Sequence, residues 1–152
     1  MDQFKSEGFQ NLISIPNVIE IENYPFLERK KAKPNLLWVR SFAKIYNPMM
    51  AVDVFVSLKR KYPEATLCMV GPEKDGSLSI AKQKAAALEL DIQFTGKLTK
   101  EEWINESKQY DIFVNTTHFD NMPVSVVEAM SLGLAVVSTN VGGIPFLLNL
   151  KL

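Results

Sequence analysis

From residue 35 onward, short unbroken apolar runs alternate with longer segments whose apolar positions return every three or four residues. Leu36-Leu37-Trp38-Val39 follows a proline and reads as a buried strand. Pro48 to Tyr62 reads as a helix, with Pro48 in its first turn and Met49, Val52, Phe55, Val56 and Leu58 on a broad apolar face. Ala65 to Val70 is a second strand closed by Gly71-Pro72, and Leu78 to Leu90 is a second helix rich in alanine and lysine. Ile92 to Thr95 is a third strand, ending at Gly96. Thr99-Lys100-Glu101-Glu102 has the form of a capping box, in which the threonine caps and Glu102 returns the bond. The helix it opens runs to about Gln109. Asp111 to Val114 is a fourth strand, Asn115 to Pro123 a polar loop, Val124 to Leu132 a fourth helix stopped by Gly133, and Leu134 to Ser138 a fifth strand.

The strands are apolar throughout and do not alternate, which indicates a parallel sheet covered on both faces. The expected fold is therefore α/β: a Rossmann-like doubly wound parallel sheet of about five strands with helices on both faces. Asn23 to Lys33 is the best linker candidate, with Pro25 and the basic cluster Arg29-Lys30-Lys31-Lys33. That cluster reads as a solvated loop, with a contact to acidic lipid or a partner domain as the alternative.

Composition narrows the class. The 152 residues make one ordinary domain, and 47% hydrophobic with 22% charged residues is a globular balance that excludes disorder. Lysine plus arginine count 17 and aspartate plus glutamate 17, so the chain has no basic excess for nucleic acid. The single cysteine, Cys68, permits no internal disulfide and fits a reducing compartment such as the cytoplasm. Met1–Gln10 is polar and mixed in charge, unlike a signal peptide, and no apolar run approaches the ~20 residues of a membrane span.

In an open parallel sheet, ligands bind at the carboxyl ends of the strands. Those ends are Arg40-Ser41, Gly71-Pro72, Gly96-Lys97 and the loop Asn115–Pro123. The last runs straight into a helix, whose free N–H groups and partial positive charge suit a phosphate. Asn121 is a candidate cap for that helix, and Pro123 fits its first turn. Glu128 lies one and a half turns in, and helical side chains lean back toward the start. A carboxylate there accepts two hydrogen bonds, which matches a vicinal diol such as ribose. Asp120 precedes it by eight positions, so both acids are expected to flank one pocket at different depths. Each alone also reads plainly, Glu128 as a surface helix residue and Asp120 as a turn residue. Arg40 ends the first strand, where its planar fork suits a phosphate and an ion pair equally. Lys44 follows on the same loop. There is no Gly-x-Gly-x-x-Gly after any strand, no Gly-rich lysine loop and no metal-ligand spacing. His118, the only histidine, reads as a loop residue, and Cys68 as core.

Three stretches resemble the carboxyl-half signature of family-4 glycosyltransferases, the retaining group-1 enzymes of the two-domain GT-B fold. They are Asp120-Asn121-Met122-Pro123-Val124-Ser125-Val126-Val127-Glu128-Ala129-Met130, Gly133-Leu134-Ala135-Val136-Val137-Ser138-Thr139 and Gly142-Gly143-Ile144-Pro145. That signature is an acid, seven residues, a glutamate opening "EAM", a buried strand and "GG-x-P". Ile15-Pro16-Asn17, Arg40, Met69-Val70-Gly71-Pro72 and Phe94-Thr95-Gly96 resemble further family positions, so the likeness spans about residues 11–148.

The resemblance implies a nucleotide-sugar donor (a UDP-, GDP- or ADP-sugar) as substrate, with no cofactor and no metal. It places Asp120 near the donor sugar as the catalytic acid position and Glu128 on the ribose. It sets the backbone amides of Asn121, Met122 and Val124 toward the sugar and diphosphate, with Arg40 and Lys44 on the diphosphate. It also implies a role in polysaccharide or related biosynthesis, at a cytoplasmic location with peripheral membrane contact. The departures are Asp120 where glutamate is usual, Asn121-Met122-Pro123 where Gly-Phe-Gly is common, Val39 for glycine, Lys44 one position early and Phe146 for an acid. Pro123 has no N–H to offer.

By the same resemblance, residues 1–34 are the remnant of an interdomain segment with a strand leading into the domain. Residues 35–152 are then a nucleotide-sugar-binding domain cut short at its carboxyl end. Ile144 starts a helix that stops almost at once, and the acceptor domain of a GT-B enzyme would precede this chain. The expectation is a donor-binding domain that transfers no sugar alone; the alternative is a non-catalytic nucleotide-binding or interaction module.

Overall fold

A computed structural model describes residues 2–13, 15 and 17–148. The elements follow in the order α1 (Asp2–Ser6), β1 (Asn35–Val39), α2 (Pro48–Lys61), β2 (Thr66–Val70), α3 (Ser77–Ala87), β3 (Gln93–Gly96), α4 (Lys100–Glu106), β4 (Ile112–Asn115), α5 (Val124–Ser131), β5 (Ala135–Ser138) and α6 (Ile144–Leu148). The five strands form one sheet in the order β3-β2-β1-β4-β5, and every adjacent pair is parallel. Chain order reverses between β1 and β4, which makes the crevice at their carboxyl ends the switch point of the sheet.

The two faces of the sheet explain why the strands are apolar throughout. Leu36, Trp38, Leu67, Met69 and Val114 point to one layer, where they meet Ala51, Val52 and Phe55 of α2 and Ala81 and Ala85 of α3. Leu37, Cys68, Val70 and Phe113 point to the other, where they meet Trp103 of α4 and Val126 and Ala129 of α5. Successive residues of a strand thus serve opposite cores, and neither set can be polar. Burial pushes the Cys68 thiol up to about 11, so it sits in this core as an inert apolar group.

Two expectations change. The described residues before 35 form α1 and a single 3-10 turn at Ile21–Asn23, with no strand leading into the domain. Their hydrogen bonds close local turns or reach side chains and loops, and no ladder is available to them. Pro16, one of the residues that carry the resemblance, and residues 149–152, at the end of the expected domain, lie outside the described residues. The basic cluster is not one solvated loop either. Lys30, Lys31 and Lys33 are exposed, but Arg29 is a buried clamp, donating to the carbonyls of Leu27, Ser107, Tyr110 and Leu132 and facing Asp111 at 3.4 Å. Among the described residues, no helix is long and apolar enough to cross a membrane.

Candidate functional site

The loop after β4 is stitched to the loop after β1. Trp38 Nε1 donates to Thr116 Oγ1 at 3.0 Å, and that hydroxyl reaches the carbonyls of Tyr46 and Asn47 at 2.9 Å. Thr117 Oγ1 donates to the Ile45 carbonyl at 3.1 Å, and the His118 amide to the same oxygen at 2.8 Å. His118 itself is exposed. From behind, Gly142-Gly143 supports the loop: the Gly143 amide donates to the Asp120 carbonyl at 2.9 Å. A Cβ on Gly142 would lie 2.2 Å from that carbonyl, and one on Gly143 would lie 1.9 Å from the Asn121 carbonyl. Side chains are therefore excluded where the two backbones meet.

This stitching brings Asp120 to Arg40. Arg40 Nη2 donates to Asp120 Oδ2 at 2.5 Å, with side chains only 14% and 19% exposed. The guanidinium also lies over the Tyr46 ring, 4.7 Å from its centroid. Asp120 Oδ1 accepts the Met122 amide at 3.1 Å. That amide is thus bonded within the protein. Asn121 is not the cap of α5. Pro123 holds the N-cap position; its ring has no acceptor to cap with, and its carbonyl takes the Val126 and Val127 amides as the first bonds of the helix. The amides of Val124 and Ser125, at the start of the helix, have no acceptor inside it.

The two acids fall on two cavities that are lined in part by the consecutive residues Asn17 and Val18. Asp120 lines a cavity of about 660 Å³ with Ile15, Asn17, Tyr46 and Met122. Glu128 lines a second, of about 540 Å³, with Val18, Ile19, Tyr24, Lys100 and Val124. Residues 17–24 contribute to both, and Asn17 Nδ2 donates to the Met122 carbonyl at 3.1 Å. Glu128 is 4% exposed, and its Oε1 receives both Tyr24 Oη at 2.7 Å and Lys100 Nζ. Burial and the Glu128 carboxylate raise the Tyr24 pKa, so its hydroxyl stays protonated and donates. Burial alone would lower Lys100, but the bond and charge of Glu128 outweigh it and the pKa rises.

Of the predicted residues, Arg40, Asp120, Asn121 and Met122 therefore gather at one cavity or its wall, and Val124 and Glu128 at the other. Lys44 is exposed in a 3-10 turn, lines neither cavity, and uses its amide to hold Asp75 at 2.9 Å. Gly71 and Lys97 also line neither. Tyr24 and Tyr46 were not anticipated, and Lys100 was seen only as part of a cap. Among the described residues, three buried side-chain atoms lack a partner: Arg40 Nε, Asn115 Oδ1 and Ser125 Oγ. They belong to the ends of β1 and β4 and the first turn of α5, all at the switch point. Buried polar atoms without a protein partner call for one from elsewhere, such as a water, an ion or a ligand. Among the described residues, no group of His, Cys, Asp or Glu could hold a metal ion.

Comparison with known proteins bears on the family and the fold. The family model described as "Glycosyl transferases group 1" matches residues 20–149. A sulfoquinovosyl transferase of Arabidopsis thaliana is 32% identical over 95 residues, which cover 62% of this chain but 18% of that protein. The C-terminal domain of a group 1 family glycosyl transferase from Francisella tularensis superposes with a TM-score of 0.70 at 20% identity, covering 84% of this chain and 73% of that one. HepE from Anabaena, solved in complex with UDP and glucose, gives a TM-score of 0.66 at 20% identity, covering 74% of this chain and 31% of that one.

Proposed function

The chain belongs to the glycosyl transferases group 1 family, and we propose that it is the donor-binding domain of a retaining family-4 enzyme. Its fold is the Rossmann-like domain of GT-B glycosyltransferases. The substrate on this reading is a nucleoside diphosphate sugar. The observation that carries it is the pair of carboxylates eight positions apart, one against Arg40 at the switch point and one buried on α5. A cation beside the start of a helix suits a diphosphate, and a buried carboxylate one and a half turns on suits ribose hydroxyls. The UDP held by the Anabaena relative, which shares this fold, supports the assignment. The family match favours a transferase over a non-catalytic module.

In this reading Arg40 and the Val124 and Ser125 amides stabilise the charge that develops on the departing nucleoside diphosphate, and Asp120 stands near the donor sugar. Loss of one such group commonly costs ~3 kcal/mol of barrier. A second domain supplies the acceptor site. The enzyme works at the cytoplasmic face of a membrane, on a polysaccharide or lipid-linked acceptor. Titration calorimetry with UDP, GDP and ADP tests the donor site. At least one should bind, and Arg40→Ala should weaken it by about 1–3 kcal/mol, the value of a charged hydrogen bond. Absence of binding by all three at millimolar concentration overturns the proposal.

A further inference from the structure

Glu128 engages the protein through one oxygen only. Tyr24 Oη and Lys100 Nζ both fall on Oε1, and among the described residues Oε2 has no hydrogen-bond partner although the side chain lines a cavity of about 540 Å³. A carboxylate buried to this degree needs compensation, and two donors on one oxygen supply it while fixing the rotation of the group. Lys100 is itself held, with its ammonium 5.8 Å from the Tyr24 ring centroid and 5.7 Å from that of Trp103. Tyr24 is anchored in turn by its ring, which is buried in the core that also holds Leu37, Phe113, Val126 and Ala129.

We propose that Tyr24, assisted by Lys100, is a positioning residue: it pins Oε1 of Glu128 so that Oε2 is presented to a ribose hydroxyl of the bound nucleotide. The inference rests on the donor-site reading above. Tyr24 also belongs to residues 17–24, which line both cavities and are fastened at Asn17 to Met122. The ribose end of the site is thus built partly from a residue 104 positions away in the chain.

The experiment compares ribonucleotides with their 2′-deoxy and 3′-deoxy counterparts. UDP, GDP and ADP and the deoxy forms are titrated into the wild-type chain and into Tyr24→Phe, Lys100→Met and Glu128→Ala. Tyr24→Phe keeps the buried ring, and Lys100 is 47% exposed, so both variants retain the packing of the site. The wild type should prefer the ribonucleotide. Tyr24→Phe should weaken the ribonucleotide about fivefold, one hydrogen bond's worth, with little change for the deoxy form that loses the contact. Lys100→Met should act in the same direction, and Tyr24→Phe should add nothing on a Glu128→Ala background. A merely structural role weakens both nucleotide forms alike and leaves their ratio unchanged, which overturns the inference. If Glu128→Ala abolishes the ribose preference but neither other variant touches it, the donor reading stands and the positioning role is wrong. If the wild type binds no nucleotide, both fall together.

Discussion

Asp120 serves two partners at once, neutralising Arg40 through Oδ2 and accepting the Met122 amide through Oδ1. Asp120→Ala removes both and leaves a largely buried guanidinium without its anion. The expected loss is about 1.5–3 kcal/mol, the range for hydrogen bonds to charged groups. Asp120→Asn keeps an oxygen for Met122 and should lose less; urea unfolding of the two variants checks the order, and equal losses would show that the amide contact contributes nothing. The acids and Arg40 were legible because they stand at strand ends and at a helical spacing, which are local signals. Tyr24 was not, since its bond to Glu128 joins segments 104 residues apart and nothing in Asn23-Tyr24-Pro25 marks it. Arg29 was misread for the same reason: a basic cluster looks solvated until the carbonyls of Tyr110 and Leu132 converge on one member of it.

At the scale of elements, the cap of α4 is the plainest case of sequence dictating structure. Thr99 Oγ1 accepts the Glu102 amide at 3.2 Å and Glu102 returns a bond to the Thr99 amide at 2.7 Å, as the four-residue pattern predicts. Thr99→Ala should cost about 1 kcal/mol by denaturant unfolding. Because α4 carries Lys100 and Trp103, the same change should also loosen the Glu128 contact. The β2–α3 loop shows a different device. The Glu73 carboxylate gathers the amides of Lys74, Asp75, Gly76, Leu78 and Ser79 at the start of α3, satisfying donors the helix cannot. Desolvation works against its charge, but these amides outweigh it and hold the carboxyl below its ordinary 4.5. A lowered folded-state value means that its stabilisation is complete above 4.5 and lost as pH falls through the folded value. Glu73→Gln should therefore be less stable than wild type at neutral pH and converge with it in acid. A constant difference across that range would rule out the charge as the cause.

The whole molecule divides into two cores that share one sheet, with the α2 and α3 layer on one side and the α4 and α5 layer on the other. Strand and helix order was readable because each apolar run must serve both cores. The segment before β1 was not readable, because apolar residues such as Ile13, Val18 and Ile21 lie exposed there and its described residues are held by scattered bonds to loops. Residues from β1, the β4–α5 loop, α4, α5 and the segment before β1 all contribute to the candidate site. A ligand there binds only the assembled fold, and its affinity adds to the stability of the whole domain. At a free concentration about 100 times its Kd, a nucleoside diphosphate should add ~2.7 kcal/mol. Each kcal/mol moves the melting temperature of a domain this size by about 2–4 °C, so the expected shift is about 5–11 °C. At the same free concentration, Glu128→Ala, weakened by about 1–3 kcal/mol, should show at most about two-thirds of that shift. A thermal scan of both proteins with the same nucleotide decides the matter. Equal shifts would mean that the buried carboxylate serves the fold and not the ligand, and that Tyr24 and Lys100 hold it in place for packing alone.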